Sequence, residues 1–129
     1  MPNRHGDWFR QAEADLRHAR NSVEAGDHEW ACFAAQQAAE KAVNALVQRL
    51  GGEPWGHSVT ILLGALAERT EVPVQLVEAG KRLDKHYIPT RYPNGFEAGA
   101  PTDYYTRSEA EAAVDDATRI LEFCRGALG

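Results

Sequence analysis

At 129 residues, 43% hydrophobic and 26% charged, the chain has the size of one globular domain spanning residues 1–129 with its own core. Its formal charge of −5 weighs against binding duplex nucleic acid by general electrostatics, which needs an excess of Lys and Arg. The two cysteines, Cys32 and Cys124, sit in apolar helical patterns without zinc-site spacing, the opening "MPNRHGDWFRQ" lacks the apolar core of an export signal, and no run approaches the ~18 apolar residues of a membrane span. A soluble, cytoplasmic protein with reduced thiols and no membrane contact is expected.

Asp7 is placed to cap a first helix, whose apolar residues Trp8, Ala12, Leu16, Ala19 and Val23 recur at the spacing of one helical face. Gly26 stops it. Asp27 then precedes a second helix carrying Trp30, Phe33, Ala34, Ala38, Ala42, Ala45 and Leu46 until Gly51 and Gly52. The short turn predicts an antiparallel pair, and alanine on both faces of the second helix suits a central position where backbones approach closely. After "GGEPWGHS", Ser58 is a cap for a third helix with Ile61, Leu62, Leu63 and Leu66, and Pro73 opens a fourth that runs into Tyr87. From Ile88 to about Tyr105 the hydrophobic period disappears and Pro89, Pro93 and Pro101 intervene, a longer connection than a compact domain carries without a functional reason. Thr106 and Glu109 read as a capping box for a last helix bearing Ala110, Ala113, Val114, Ala117, Leu121 and Cys124. The expected architecture is all-α, an up-and-down bundle of about five helices.

The densest functional signal is "HYIPTRYPNG", residues 86–95, where aromatic, cationic and proline residues crowd an otherwise alanine-rich chain. With Lys81, Arg82, Lys85 and His86 it forms a basic island opposed nearby only by Asp84. Arg91 is the leading candidate: a guanidinium grips phosphate bidentately while Tyr87, Tyr92, Tyr104 or Tyr105 stack on a base. A structural alternative folds the segment over the bundle, with Arg91 paired to a buried carboxylate such as Glu40 and Tyr92 covering the core. In the second helix, Gln37 and Lys41 share a face beside Glu40, and Lys41 must reach solvent or meet an anion because an unpaired buried ammonium is costly. His57, just before the third helix, is a candidate proton carrier or ligand contact. Neither G-x-x-x-x-G-K-[ST] nor G-x-G-x-x-G occurs, nor does H-E-x-x-H, so no cofactor and no metal ligand is assigned.

Residues 7–47, "HSVTILL" at 57–63, "TRYPNG" at 90–95 and the closing "ATRILEFCR" together resemble the HEPN family, the higher eukaryotes and prokaryotes nucleotide-binding domains, in its RYP-containing branch. The resemblance implies a four- or five-helix bundle that forms a homodimer, often beside a minimal nucleotidyltransferase in toxin–antitoxin-like pairs. It also implies a nucleotide-binding role, and together with the residue reading above the expected binding set for a nucleotide or short RNA is Arg91, Tyr92, Lys41, His57, Gln37 and Tyr87. Many relatives are metal-independent ribonucleases marked by an arginine followed, after four to six residues, by a histidine. Here Arg82 precedes His86 too closely, Arg49 precedes His57 from too far, and no histidine follows Arg91. Binding is therefore expected ahead of catalysis, with an atypical Arg/His ribonuclease and a purely structural oligomerisation module, using exposed aromatics such as Trp55, as alternatives.

Overall fold

The computed structural model describes residues 3–129. Its helices are α1 (His5–Ala25), α2 (His28–Arg49), α3 (Val59–Ala67), α4 (Val74–Asp84), a four-residue α5 (Pro101–Tyr104) and α6 (Arg107–Leu128); no strand occurs among the described residues. Side-chain ties fix the directions. Asn3, preceding α1, donates to the Gln48 carbonyl at the end of α2 at 2.7 Å, while Lys41 of α2 meets Asp15 of α1 at 2.6 Å. Arg107 at the start of α6 reaches Glu24 at the end of α1, and Arg125 near the end of α6 reaches Glu13. Hence α2 and α6 each run antiparallel to α1.

α2 is the central helix, in contact with α1, α3, α4, α5 and α6. Ala31, Ala34, Ala35, Ala38, Ala39, Ala42 and Ala45 are all buried, so close packing covers most of its circumference and leaves open the stripe of Trp30, Phe33, Gln37 and Lys41. Larger side chains fill the space beyond: Leu46, Leu62, Leu63, Leu66, Leu83, Ile120 and Leu121 are each under 2% exposed. Each such leucine or isoleucine stabilises by roughly 1.5–3 kcal/mol through burial. α3 and α4 close against each other where Gly80 lies, since a Cβ there would come 3.0 Å from Leu63 Cδ1 and 3.1 Å from Val59 Cγ1.

Several local signals act as the sequence implies. Gly26 adopts φ 83°, and its N–H donates back to the Ser22 and Val23 carbonyls, ending α1. The Ser58 hydroxyl accepts from the Ile61 N–H at the start of α3, and Thr106 and Glu109 form the capping box of α6. Others differ. α1 starts before Asp7, whose carboxylate is held between Arg4 and Arg10 instead of capping the helix. Phe9 takes the buried position and Trp8 is half-buried beside it. Asp27 occupies the cap position of α2 without a side-chain capping bond. α4 ends at Asp84, leaving Tyr87 in the turns that follow, and the long connection contains a 3₁₀ turn (Pro93–Gly95) and α5.

Candidate functional site

Asp84 organises the base of the site. Its carboxylate accepts from the Val59 N–H at 2.8 Å, the Thr60 N–H at 2.9 Å and the Ser58 hydroxyl at 2.8 Å. A carboxylate is favoured there because the first amides of α3 have no partner within the helix and carry its positive dipole end. Gln36, fully buried in α2, donates to the His57 carbonyl at 2.9 Å and makes a longer contact to Asp84 at 3.4 Å. The backbone of His57 is thereby fixed against both α2 and α4.

The His57 ring is fixed as well. Nδ1 lies 3.0 Å from Glu40 Oε1, and the ring stacks on Tyr87 at 5.5 Å between centroids with planes 13° apart. The Glu40 side chain is 7% exposed whereas that of His57 is 67% exposed, so the carboxylate orients an imidazole that faces outward. Burial holds the Glu40 carboxyl above the usual carboxylate range, against the opposing pull of the His57 bond and the Lys41 charge. With Nδ1 turned to Glu40, Nε2 is the nitrogen left for a ligand or a proton.

Arg91 folds back over the bundle. Its guanidinium lies 4.4 Å from the Phe33 ring centroid, 5.0 Å from Tyr87 and 5.2 Å from Tyr92. Nε and Nη2 donate to the Tyr87 carbonyl at 3.0 and 2.8 Å. A guanidinium has five N–H groups, so this edge consumes two, and the other three have no partner among the described residues. The pairing of Arg91 with Glu40 that the sequence left open does not form, because His57 takes Glu40 and the rings of Phe33 and Tyr87 receive Arg91. Tyr92 is 48% exposed and lies beside the guanidinium without covering the core.

Gln37 and Lys41 continue the same face of α2. Gln37 donates to Gln36 Oε1 at 2.8 Å and faces Lys41 at 3.3 Å; the Lys41 ammonium finds its anion in Asp15. A groove of about 230 Å³ runs here between α1 and α2, with Trp30, Phe33, Gln37 and Lys41 among its walls. Thus Arg91, Tyr92, Tyr87, His57, Gln37 and Lys41 share one side of α2, with Phe33 as the common neighbour of Arg91 and the groove. Sequence reasoning missed Phe33, Asp15 and Gln36 as parts of the site, and Asp84 as its anchor. Phe33 lies four positions before Gln37, a helical spacing that points to it.

Residues 5–127 match the family model of the HEPN domain. The chain belongs to the HEPN family. A Thermus thermophilus protein of known crystal structure is 52% identical, with a TM-score of 0.94 over 98% of this chain and 99% of that one. An archaeal HEPN homologue is 42% identical, with a TM-score of 0.84 over 100% of both chains. A HEPN domain protein of Thermotoga maritima is 41% identical, with a TM-score of 0.77 over 93% of this chain and 95% of that one. A candidate toxin of Methanocaldococcus jannaschii is 25% identical over 130 residues, covering 94% of this chain and 86% of its own.

In this HEPN domain the remaining candidates lie elsewhere. Arg82 forks onto Asp116 of α6 at 2.9 and 3.0 Å, which neutralises part of the basic island. The His86 ring packs edge-on against Tyr105 at 5.6 Å with a buried Nδ1 that has no partner, and burial lowers its pKa. Arg82 is thus committed to an ion pair and His86 to packing, and His57 is committed to Glu40 rather than to Arg49. Tyr104 stacks on Phe96 at 4.3 Å, so neither Tyr104 nor Tyr105 flanks Arg91. No group of three or more His, Cys, Asp or Glu able to hold a metal occurs among the described residues, and no helix there is long and apolar enough to cross a membrane.

Proposed function

We propose that this HEPN domain is a nucleotide- or RNA-binding module, acting as a homodimer in a toxin–antitoxin-like system beside a minimal nucleotidyltransferase. The observation that carries the binding role is the Arg91 guanidinium, held over the Phe33 and Tyr87 rings by two bonds to the Tyr87 carbonyl, with its other N–H groups unpartnered among the described residues. A guanidinium presented this way meets a phosphate without first giving up a protein partner, and its ordering cost is already met by the fold. Exposed His57 and Tyr92 supply a hydrogen-bonding group and a stacking face beside it. The toxin-like relative supports the system-level part of the reading.

Titration of fluorescently labelled mononucleotides and short RNA into wild type and Arg91→Ala tests it. Loss of one charge-assisted contact of ~1.5–3 kcal/mol corresponds to roughly a 10- to 150-fold weaker complex. Unchanged affinity in a folded Arg91→Ala protein refutes the phosphate contact. Co-purification with a nucleotidyltransferase and light scattering examine the partner and the dimer.

The Glu40–His57 pair supports a second reading, metal-independent RNA cleavage, because a carboxylate-oriented imidazole with an exposed Nε2 has the form of a general base. RNA cleavage in EDTA that His57→Ala abolishes is the expected result for it. Intact RNA after prolonged incubation rejects it.

A further inference from the structure

The groove beside Lys41 does not end there. On its far side Lys41 also borders a second, wider groove of about 720 Å³ lined by Arg4, Asp7, Trp8, Arg10 and Gln11. Trp8 in turn borders a third that holds Trp55 and His57. The first and second depressions share Lys41 as a wall, and the second and third share Trp8, so they lie in succession from Phe33 and Arg91, across the Lys41–Asp15 ion pair, to Trp8 and the arginine pair.

Asp15 and Glu53 are acidic members of these walls, and the stretch around Trp8 is the cationic one. The single carboxylate of Asp7 holds two guanidiniums, Arg4 through Nε at 3.1 Å and Arg10 through Nη2. Two cations on one anion leave a net positive charge beside an indole, in a chain whose total charge is −5. Arg4 and Arg10 are 68% and 77% exposed, and each contacts Asp7 through one nitrogen only, so most of their N–H groups remain available. Phe33 and Lys41 are eight residues apart on α2, about 12 Å at 1.5 Å per residue, and the arginine pair lies beyond Lys41. One nucleotide held at Arg91 does not reach it. A strand does.

We infer that Trp8, Arg4 and Arg10 form a second subsite that receives a later nucleotide of a single-stranded nucleic acid entering at Arg91. The indole stacks on a base and the arginine pair meets the neighbouring phosphates, the combination by which single strands are bound along aromatic and cationic tracks. The inference rests on the binding role proposed for Arg91, and it makes the preferred ligand a strand of several nucleotides rather than a mononucleotide.

The test is binding of a labelled mononucleotide and of labelled strands of two to ten nucleotides, as RNA and as DNA, to wild type, Arg4→Ala/Arg10→Ala and Trp8→Phe. Affinity is expected to rise with length until the strand reaches Arg10 and then level off. The double arginine variant should bind long strands no better than short ones while binding the mononucleotide like wild type. Two lost phosphate contacts reduce the slope of log affinity against log salt by about 1.4, at ~0.7 per contact on a single strand. Arg4 and Arg10 are surface residues, so this variant stays informative even if changes at half-buried Trp8 disturb folding.

Equal affinity for mononucleotide and ten-mer, or competition by polyglutamate as effective as by the oligonucleotide, overturns the second subsite and leaves the Arg91 reading standing. No binding of any length overturns both. Length dependence that survives in the double arginine variant places the track elsewhere and also overturns the subsite.

Discussion

Replacing Asp84 by alanine is expected to destabilise the domain and loosen His57 together, because one carboxylate serves both. It accepts three hydrogen bonds of 2.8–2.9 Å, from Ser58, Val59 and Thr60, and lies 3.4 Å from the Gln36 amide. A hydrogen bond to an ionised group contributes about 1.5–3 kcal/mol, and bonds that share one carboxylate are not additive. Counting one to two independent bonds, and noting that two α3 amides lose their partner, gives a loss of ~2–4 kcal/mol. For a domain of this length 1 kcal/mol moves Tm by about 4 °C, so a fall of roughly 8–16 °C follows. Asp84→Asn, which keeps an acceptor but not the charge, should fall between. Thermal unfolding followed by circular dichroism measures all three proteins, with exposed Glu78→Ala as a control expected within about 0.5 kcal/mol of wild type. A fall of less than about 3 °C in Asp84→Ala, under 1 kcal/mol on the same scale, refutes the view that this carboxylate joins α3, α4 and the site.

Gly80→Ala should lower Tm by several degrees, since contacts of 3.0 and 3.1 Å to Leu63 and Val59 add an overpacking cost of about 1–3 kcal/mol that exceeds the ~1 kcal/mol gain in helix propensity. Cys32 and Cys124, whose thiols burial pushes up to about 12, should resist a thiol reagent at pH 8 in the native protein and react at two sites per chain after unfolding. Glu40→Gln should change how stability depends on pH. The native Glu40 pKa lies above its ordinary 4.5, so between those values the folded chain holds more protons than the unfolded one and wild-type stability falls as pH rises. Denaturant titrations should show the variant gaining on wild type through that window and holding its advantage above it. A constant difference at all pH values contradicts the assignment.

What the sequence made legible was the local part of the structure. Gly26, Ser58 and the Thr106–Glu109 box mark helix ends by chemistry within a few residues, and the alanine pattern of α2 marks a helix packed against several others. Asp7 shows where that logic stops: two arginines one turn away on either side compete for the same carboxylate and win. The candidates Arg91, Tyr87, Tyr92, His57, Gln37 and Lys41 gather on one side of α2. Their partners were not. Glu40 read as a partner for Arg91, and only the three-dimensional path of the loop before α3 brings His57 to it instead. Asp84 read as the lone acid of a basic island, whereas its role depends on 24 to 26 residues of chain returning the start of α3 to the end of α4. Tyr104 and Tyr105 were equivalent to Tyr87 by composition, and the short α5 is what turns them toward Phe96 and His86.

An NMR titration that follows the Arg91 Nε–H resonance and the His57 ring, while a short single-stranded oligonucleotide is added, bears most immediately on the binding role. Both signals should shift early and saturate together, with Phe33 and Tyr92 moving alongside. Saturable binding whose shifts fall on the outer faces of α3 and α6, with Arg91 and His57 unmoved, contradicts it.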